Sequence, residues 1–290
     1  MTSARRGSWP TIELYGGRQR PEDPDAALRV SVVTVVRNGR RHIEEAIRSV
    51  LDQDYPNVEY IIVDGGSTDG TLDVVQRYAD GITSWITEPD NGVFDAMNKG
   101  IARASGQLIK LLNADDVLTS GSIRTAVTLH LASAHPGVIA SELDVIDSNG
   151  GVLKRLTRED TYPAGPVLHP SWYVDRRVYE QFGLYRTDYR VSSDFEFFLR
   201  LHSFGVPVQY ASAPLACFRT GGVSNTTLTG LRERYEIMRM YVPLHVAVGS
   251  TTVHAYKKVR ARILVALLGE KKMYDLRSRI ARSSHSRSEK

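Results

Sequence analysis

The chain has 290 residues, 42% hydrophobic and 24% charged, an ordinary globular composition with room for a large core. Its one cysteine, Cys217, excludes an internal disulfide and a cysteine-built zinc centre and fits a reducing compartment. No apolar run approaches the ~18 residues of a membrane span, and residues 1–29 lack the apolar stretch of a secretory signal. A cytoplasmic protein is therefore expected.

Charge is placed unevenly. Residues 254–290 hold eleven Lys or Arg against three Asp or Glu, a net of +8; with the whole chain at +4, residues 1–253 carry −4. A basic amphipathic end suits an anionic surface, lipid or nucleic acid. A solvated helix with a frayed end is the plain alternative.

Residues 1–28 read as a flexible lead-in. The ordered body begins at "RVSVVTVVRN" (29–38), a β-branched run typical of a strand buried on both faces. In "RRHIEEAIRSVLDQDYPN" (40–57), Ile43, Ala46, Ile47, Val50 and Leu51 share a helical face, and Pro56 ends the helix. "VEYIIVDGGSTDG" (58–70) gives a second strand ending at Asp64, with Ser67, Thr68 and Asp69 placed to cap the next helix. A strand at 82–89, a helix at 92–106, a strand at 107–113 and a helix at 122–134 follow.

Strand and helix in alternation predict an α/β fold with a mostly parallel sheet, whose ligands bind at the carboxyl ends of the strands. Three polar clusters should then line one edge: Arg37-Asn38, Asp64-Gly65-Gly66 and Asp115-Asp116. Beyond residue 137 the spacing predicts an antiparallel hairpin across 148–151 and helices at 175–183 and 193–205. One or two edge strands at 206–219 and a helical extension over 229–290 complete the reading.

Adjacent aspartates at the end of "LIKLLNADD" suit a hard divalent cation, Mg²⁺ or Mn²⁺, shared with substrate phosphates. Taken alone they also read as solvated turn acids. "VDGGSTDGT" is neither GxGxxG nor GxxxxGK[ST], so neither a dinucleotide fold nor a P-loop is supported.

In order and spacing, "VSVVTVVRN", "IIVDGGSTDGT", "EPDNGVFDAMNKGIARASG" and "LLNADD" together resemble the family 2 glycosyltransferases. The resemblance covers about residues 29–225. "EPDNGVFDAMNKG" is similar to the branch that builds bacterial surface polysaccharides and glycolipids. It implies a GT-A fold, a glycosyltransferase domain over 29–228, and inverting transfer of a hexosyl or deoxyhexosyl group. The donor is a nucleotide-diphosphate sugar and the acceptor a glycan, glycolipid or lipid-linked hydroxyl. It places Val35, Arg37 and Asp64 at the base and ribose, and Asp115 and Asp116 at the metal–diphosphate, with Asp116 the direct ligand. Asp95, Asn98 and Lys99 flank that site. Asp194, in "VSSDFEFFLRL" (191–201), falls where the family keeps its general base, with Glu196 as rival. His169 is either an acceptor or metal contact or a packed loop residue. "FRTGGVSN" (218–225) reads as a loop over the diphosphate or as a plain turn.

This chain departs from the family's pattern at Val35-Val36-Arg37-Asn38, at Gly65 and at Ser193. Other readings are a non-catalytic sugar-nucleotide or polysaccharide binding module and a metal-dependent nucleotidyltransferase. A nucleic-acid role for the basic end lacks the aromatic interleaving that base stacking needs. With Val259, Ile263, Ala266 and Leu267 on one side of a basic helix, contact with the inner face of the plasma membrane is the expectation for residues 254–290.

Overall fold

The computed structural model describes residues 28–135, 137–157, 168–220 and 228–268. The lead-in, the Gly221-Gly222 loop and the end of the basic extension lie outside them. β1 (Val30–Val36), α1 (Ile43–Leu51), β2 (Val58–Asp64), α2 (Thr71–Arg77), β3 (Ser84–Thr87), α3 (Val93–Arg103) and β4 (Leu108–Asn113) alternate as expected. Then come β5 (Val117–Leu118), α4 (Ser122–Leu131), β6 (Val138–Ala140), β7 (Leu143–Ile146), β8 (Val152–Leu156), β9 (Tyr173–Asp175), α5 (Arg176–Phe182), α6 (Ser193–Ser203), β10 (Val208–Tyr210), β11 (Ala216–Arg219), α7 (Leu228–Tyr241) and α8 (Leu244–Leu268).

Among the described residues a seven-stranded sheet runs β10-β6-β9-β4-β1-β2-β3, and β5-β11-β7-β8 form a smaller one. Every residue of β1 is buried, because α1 covers one face and α3 the other. Each buried valine contributes about 1.5–3 kcal/mol. A Cβ on Gly100 would lie 2.1 Å from Val33 Cγ1, so only glycine lets α3 approach β1 this closely. The predicted hairpin is β7–β8, but β6, the start of the same apolar run, turns away at the buried Ser141 and joins the main sheet.

The C-terminal helices are not an appendage. Ile237, Met238 and Ala247 from α7 and α8 close a third core with Tyr189, Phe195 and Leu199.

Candidate active site

Parallel register brings the motifs together. Val36 pairs with Asp64 and Val35 with Asn113, so β1, β2 and β4 end at one edge. Val36 O accepts from Gly65 N at 2.8 Å and Val35 O from Ala114 N at 3.2 Å, extending the ladder into both turns. Asn38 takes a left-handed φ of 53°. Its N–H donates to Ser67 Oγ (2.7 Å) and its side-chain carbonyl accepts from Thr68 N (2.8 Å), tying the first loop to the second. Val35 lies buried beneath this seam, and Arg37 is exposed above it.

Asp64 is fully buried. Its Oδ2 accepts from the N–H groups of Gly66 (3.1 Å) and Ser67 (3.0 Å), while Oδ1 has no partner. An unmet buried carboxylate oxygen is costly, and an acceptor held this way suits a ligand N–H or O–H. Across the turn, a Cβ on Gly65 would fall 2.0 Å from Asp90 Oδ2. Asp90 Oδ1 accepts from Gly92 N at 2.9 Å, so this carboxylate occupies the space that a side chain at 65 would need. Sequence reading passed over Asp90; its signal was an Asp two residues before a helix-opening glycine.

The backbone turns at Ala114 and gives the two aspartates different surroundings. Asp116 is fully buried and both its oxygens have partners: Arg219 N at 3.0 Å and Asn113 Nδ2 at 2.9 Å. Asp115 is half-buried. Burial raises both carboxyls above their ordinary range, with Asp115 adding to the rise at Asp116. Below them Lys110, which the sequence hid among four apolar neighbours, is wholly enclosed. Its ammonium donates to Pro170 O and sits 5.1 Å from the Tyr173 ring centroid; burial lowers its pKa to about 7 and Asp116 opposes the fall. Arg219 is the bolt of the site. Its guanidinium donates to Asp115 O (3.0 Å), Asp147 O (2.8 Å) and Glu45 Oε2 (2.5 Å). It lies buried in β11 rather than in a loop over a ligand.

A divalent cation can be accommodated here. Among the described residues no group of three His, Cys, Asp or Glu could cage an ion. Two carboxylates, with the other positions left to phosphate and water, is the usual protein share for Mg²⁺. Asp115 presents the accessible oxygens, and Asp116 is the one already engaged.

Several predicted contacts are spent inside the protein. Asn98 donates to Tyr185 O (2.8 Å) and accepts from Tyr185 N (3.0 Å). Lys99 spans Asp95 (3.2 Å), Glu88 (3.3 Å) and Pro89 O (2.8 Å), and Asp95 accepts from Asn91 N (3.0 Å), so both brace the turn before α3. His169 is buried and bonds through Nε2 to Tyr185 Oη at 2.8 Å. Burial, then Lys110, lowers its pKa to about 3, so it stays neutral and packed. Glu196 is fully buried, with Arg200 (2.7 Å) and Tyr241 Oη (2.5 Å) engaging its two oxygens. Asp194, in the first turn of α6, is half-buried; Oδ1 accepts from Phe195 N at 2.7 Å. Burial pushes its carboxyl up to about 6, a fit for proton transfer near neutrality.

Residues 31–201 match the sequence profile described as "Glycosyl transferase family 2". A PGL/p-HBAD biosynthesis glycosyltransferase of Mycobacterium bovis is 27% identical over 251 residues, 83% of this chain and 95% of that protein. The fold is shared with S. aureus TarS residues 1–349, solved with UDP-GlcNAc, at a TM-score of 0.62 and 16% identity over 79% of this chain and 72% of that one. It is also shared with the mannosyltransferase PcManGT of Pyrobaculum calidifontis, solved with GDP-Man and Mn²⁺, at 0.56 and 20% identity over 90% and 82%. With its parallel sheet, its shared edge of aspartates and this match over more than half its length, the chain belongs to the family 2 glycosyltransferases.

Proposed function

We propose that this chain transfers a sugar from a nucleotide-diphosphate sugar to the hydroxyl of a surface glycan or glycolipid precursor, with inversion at the anomeric carbon. The unpaired, buried Oδ1 of Asp64, at the same sheet edge as Asp115, carries the reading. Nucleotide sugars bound to the two structural neighbours support the donor class, and the similarity to a PGL/p-HBAD biosynthesis glycosyltransferase supports a biosynthetic acceptor.

In this reading Asp64 receives a base or ribose donor, and Val35 and Arg37 border the same groove. Asp115, aided by Asp116, would hold Mg²⁺ or Mn²⁺, which when bound supplies Lewis-acid stabilisation of the departing diphosphate. Asp194 removes the acceptor proton as the hydroxyl attacks. Attack and departure on opposite faces of one carbon invert it, so no side-chain nucleophile is required. An open cleft of about 710 Å³, lined by Tyr189, Thr229 and Glu236 among others, lies beside the loop entering α6 and offers the acceptor an approach.

A thermal-shift screen of UDP, GDP and their sugars, with and without Mn²⁺, tests the donor. A ligand at a hundred times its Kd adds about 2.7 kcal/mol, or roughly 5–10 °C for a domain of this size. Stabilisation should require the metal and be lost in Asp64→Asn. A screen with no responding nucleotide would remove the proposal.

The acceptor side fits a peripheral site at the inner membrane face. On α8, Leu244, Val248, Tyr256 and Val259 are exposed, just before or within the basic segment. No helix among the described residues is long and apolar enough to cross a membrane. Flotation with anionic vesicles should fall when residues 254–290 are removed; equal flotation sinks the idea.

A further inference from the structure

The N-terminus of α6 is held by a side chain of the next helix, α7. Arg190 N, Val191 N and Ser192 N all donate to the carboxylate of Glu233 on α7, at 2.9, 3.0 and 2.9 Å. Glu233 is 6% exposed. It therefore gathers three amide groups that precede a helix and would otherwise lack partners, a charged cap supplied from 41–43 residues away. The grip continues down the helix. The Arg234 guanidinium lies 4.0 Å from the centroid of the Phe195 ring, and Tyr241 Oη donates to Glu196 Oε1. Asp194 thus stands between two residues that α7 holds on either side, Ser192 and Phe195. Ser192 itself makes no side-chain cap bond.

We propose that Glu233 is a positioning residue for the acceptor base: by fixing residues 190–192 it sets where Asp194 presents its carboxylate. The inference rests on the reading of Asp194 as that base. It predicts that α7 belongs to the catalytic unit, although α7 lies outside the matched family region. The charges facing Asp194 agree. Arg234 and Glu233 from α7 act on it with opposite sign, and Asp194 in turn acts on Tyr185 from the loop after α5.

The test compares full-length parent, Glu233→Gln and Asp194→Asn in three measurements. Amide hydrogen exchange at residues 190–192 should quicken at least tenfold in Glu233→Gln. Nucleotide release from UDP-GlcNAc and GDP-mannose, with water as acceptor and Mn²⁺ present, should fall about ten- to a hundredfold in kcat, as for a small misplacement of a reacting group. UDP and GDP affinity should stay at the parent value. The acid limb of the pH profile should also move to lower pH, because the lost Glu233 charge no longer opposes ionisation of Asp194. A purely structural brace would leave that limb in place. Should Glu233→Gln not fold, Glu233→Asp, which keeps the charge one methylene short, should show the faster exchange and the lowered kcat with the acid limb in place; parental exchange and kcat in it overturn the inference. Unchanged exchange, or faster exchange with parental kcat and pH profile, overturns the inference. If Asp194→Asn is inactive while Glu233→Gln behaves as parent, only the positioning role fails; an active Asp194→Asn removes the base reading and the inference with it.

Discussion

Arg219→Met should loosen the aspartate turn more than any surface change. The arginine is 2% exposed and its guanidinium serves three acceptors on three elements. Their losses are unequal. Among the described residues Asp115 O has no other donor and would be stranded, at about 1–3 kcal/mol. Asp147 O keeps Gly150 N, so roughly one net bond of about 1 kcal/mol is lost there. Glu45 is half in water, and its ion pair adds little, about 0–1 kcal/mol. The sum is on the order of 3 kcal/mol, and at ~2–4 °C per kcal/mol the melting temperature should drop by about 6–12 °C. The Arg219 N–H stays on Asp116, so the fold survives while the Asp115 carbonyl moves. Calorimetry of the parent and variant, followed by nucleotide titration with Mn²⁺, reads both effects. A drop under about 2 °C with parental nucleotide affinity would refute the account of Arg219 as the bolt.

Asp194→Asn should lower kcat about 10²–10⁴-fold and abolish the acid limb near pH 6. The raised folded pKa means that its stability contribution is present at low pH and lost as pH rises through about 6, so the same variant should melt higher than parent at pH 8. Glu196→Gln should act differently, since breaking a buried pair costs about 3–5 kcal/mol; a lowered melting temperature is expected, and a parental one would return Glu196 to the list of bases. Gly65→Ala should weaken nucleotide binding because its new methyl meets Asp90, and Asp90→Gly in the same chain should restore it. Failure of that rescue, measured by titration with UDP and GDP, counts against the crowding at this turn.

The nucleotide half was legible because its signals are local. Five valines in seven residues, a β-branched run in β2, and Asp69 accepting from Thr71 N at 3.0 Å at the start of α2 each follow from near neighbours. The same reasoning failed where the partner is distant. Asn98, read from the sequence as flanking the donor site, is bonded to a residue 87 positions on. On α6, Phe195 and Leu199 are buried on one helical face, yet Glu196 and Phe197 are buried too while Phe198 is only half-buried, because α6 is enclosed by the sheet on one side and α7 on another. β9 spans three residues, too few to display a period, although it is the strand that joins the two halves of the sheet.

That placement of β9 has a consequence for synthesis. β4 is an inner strand only because Tyr173–Asp175 pair along it. On a growing chain, β1 to β4 emerge first and β9 about sixty residues later, a delay of roughly 3–12 s at ordinary elongation rates. During that interval Leu108, Ile109, Leu111 and Leu112 form an unpaired apolar edge of the kind that recruits other chains. Lys110 is the one charge on it. A lysine that is awkward to bury in the finished core is, at that stage, the residue that discourages a second strand from adding.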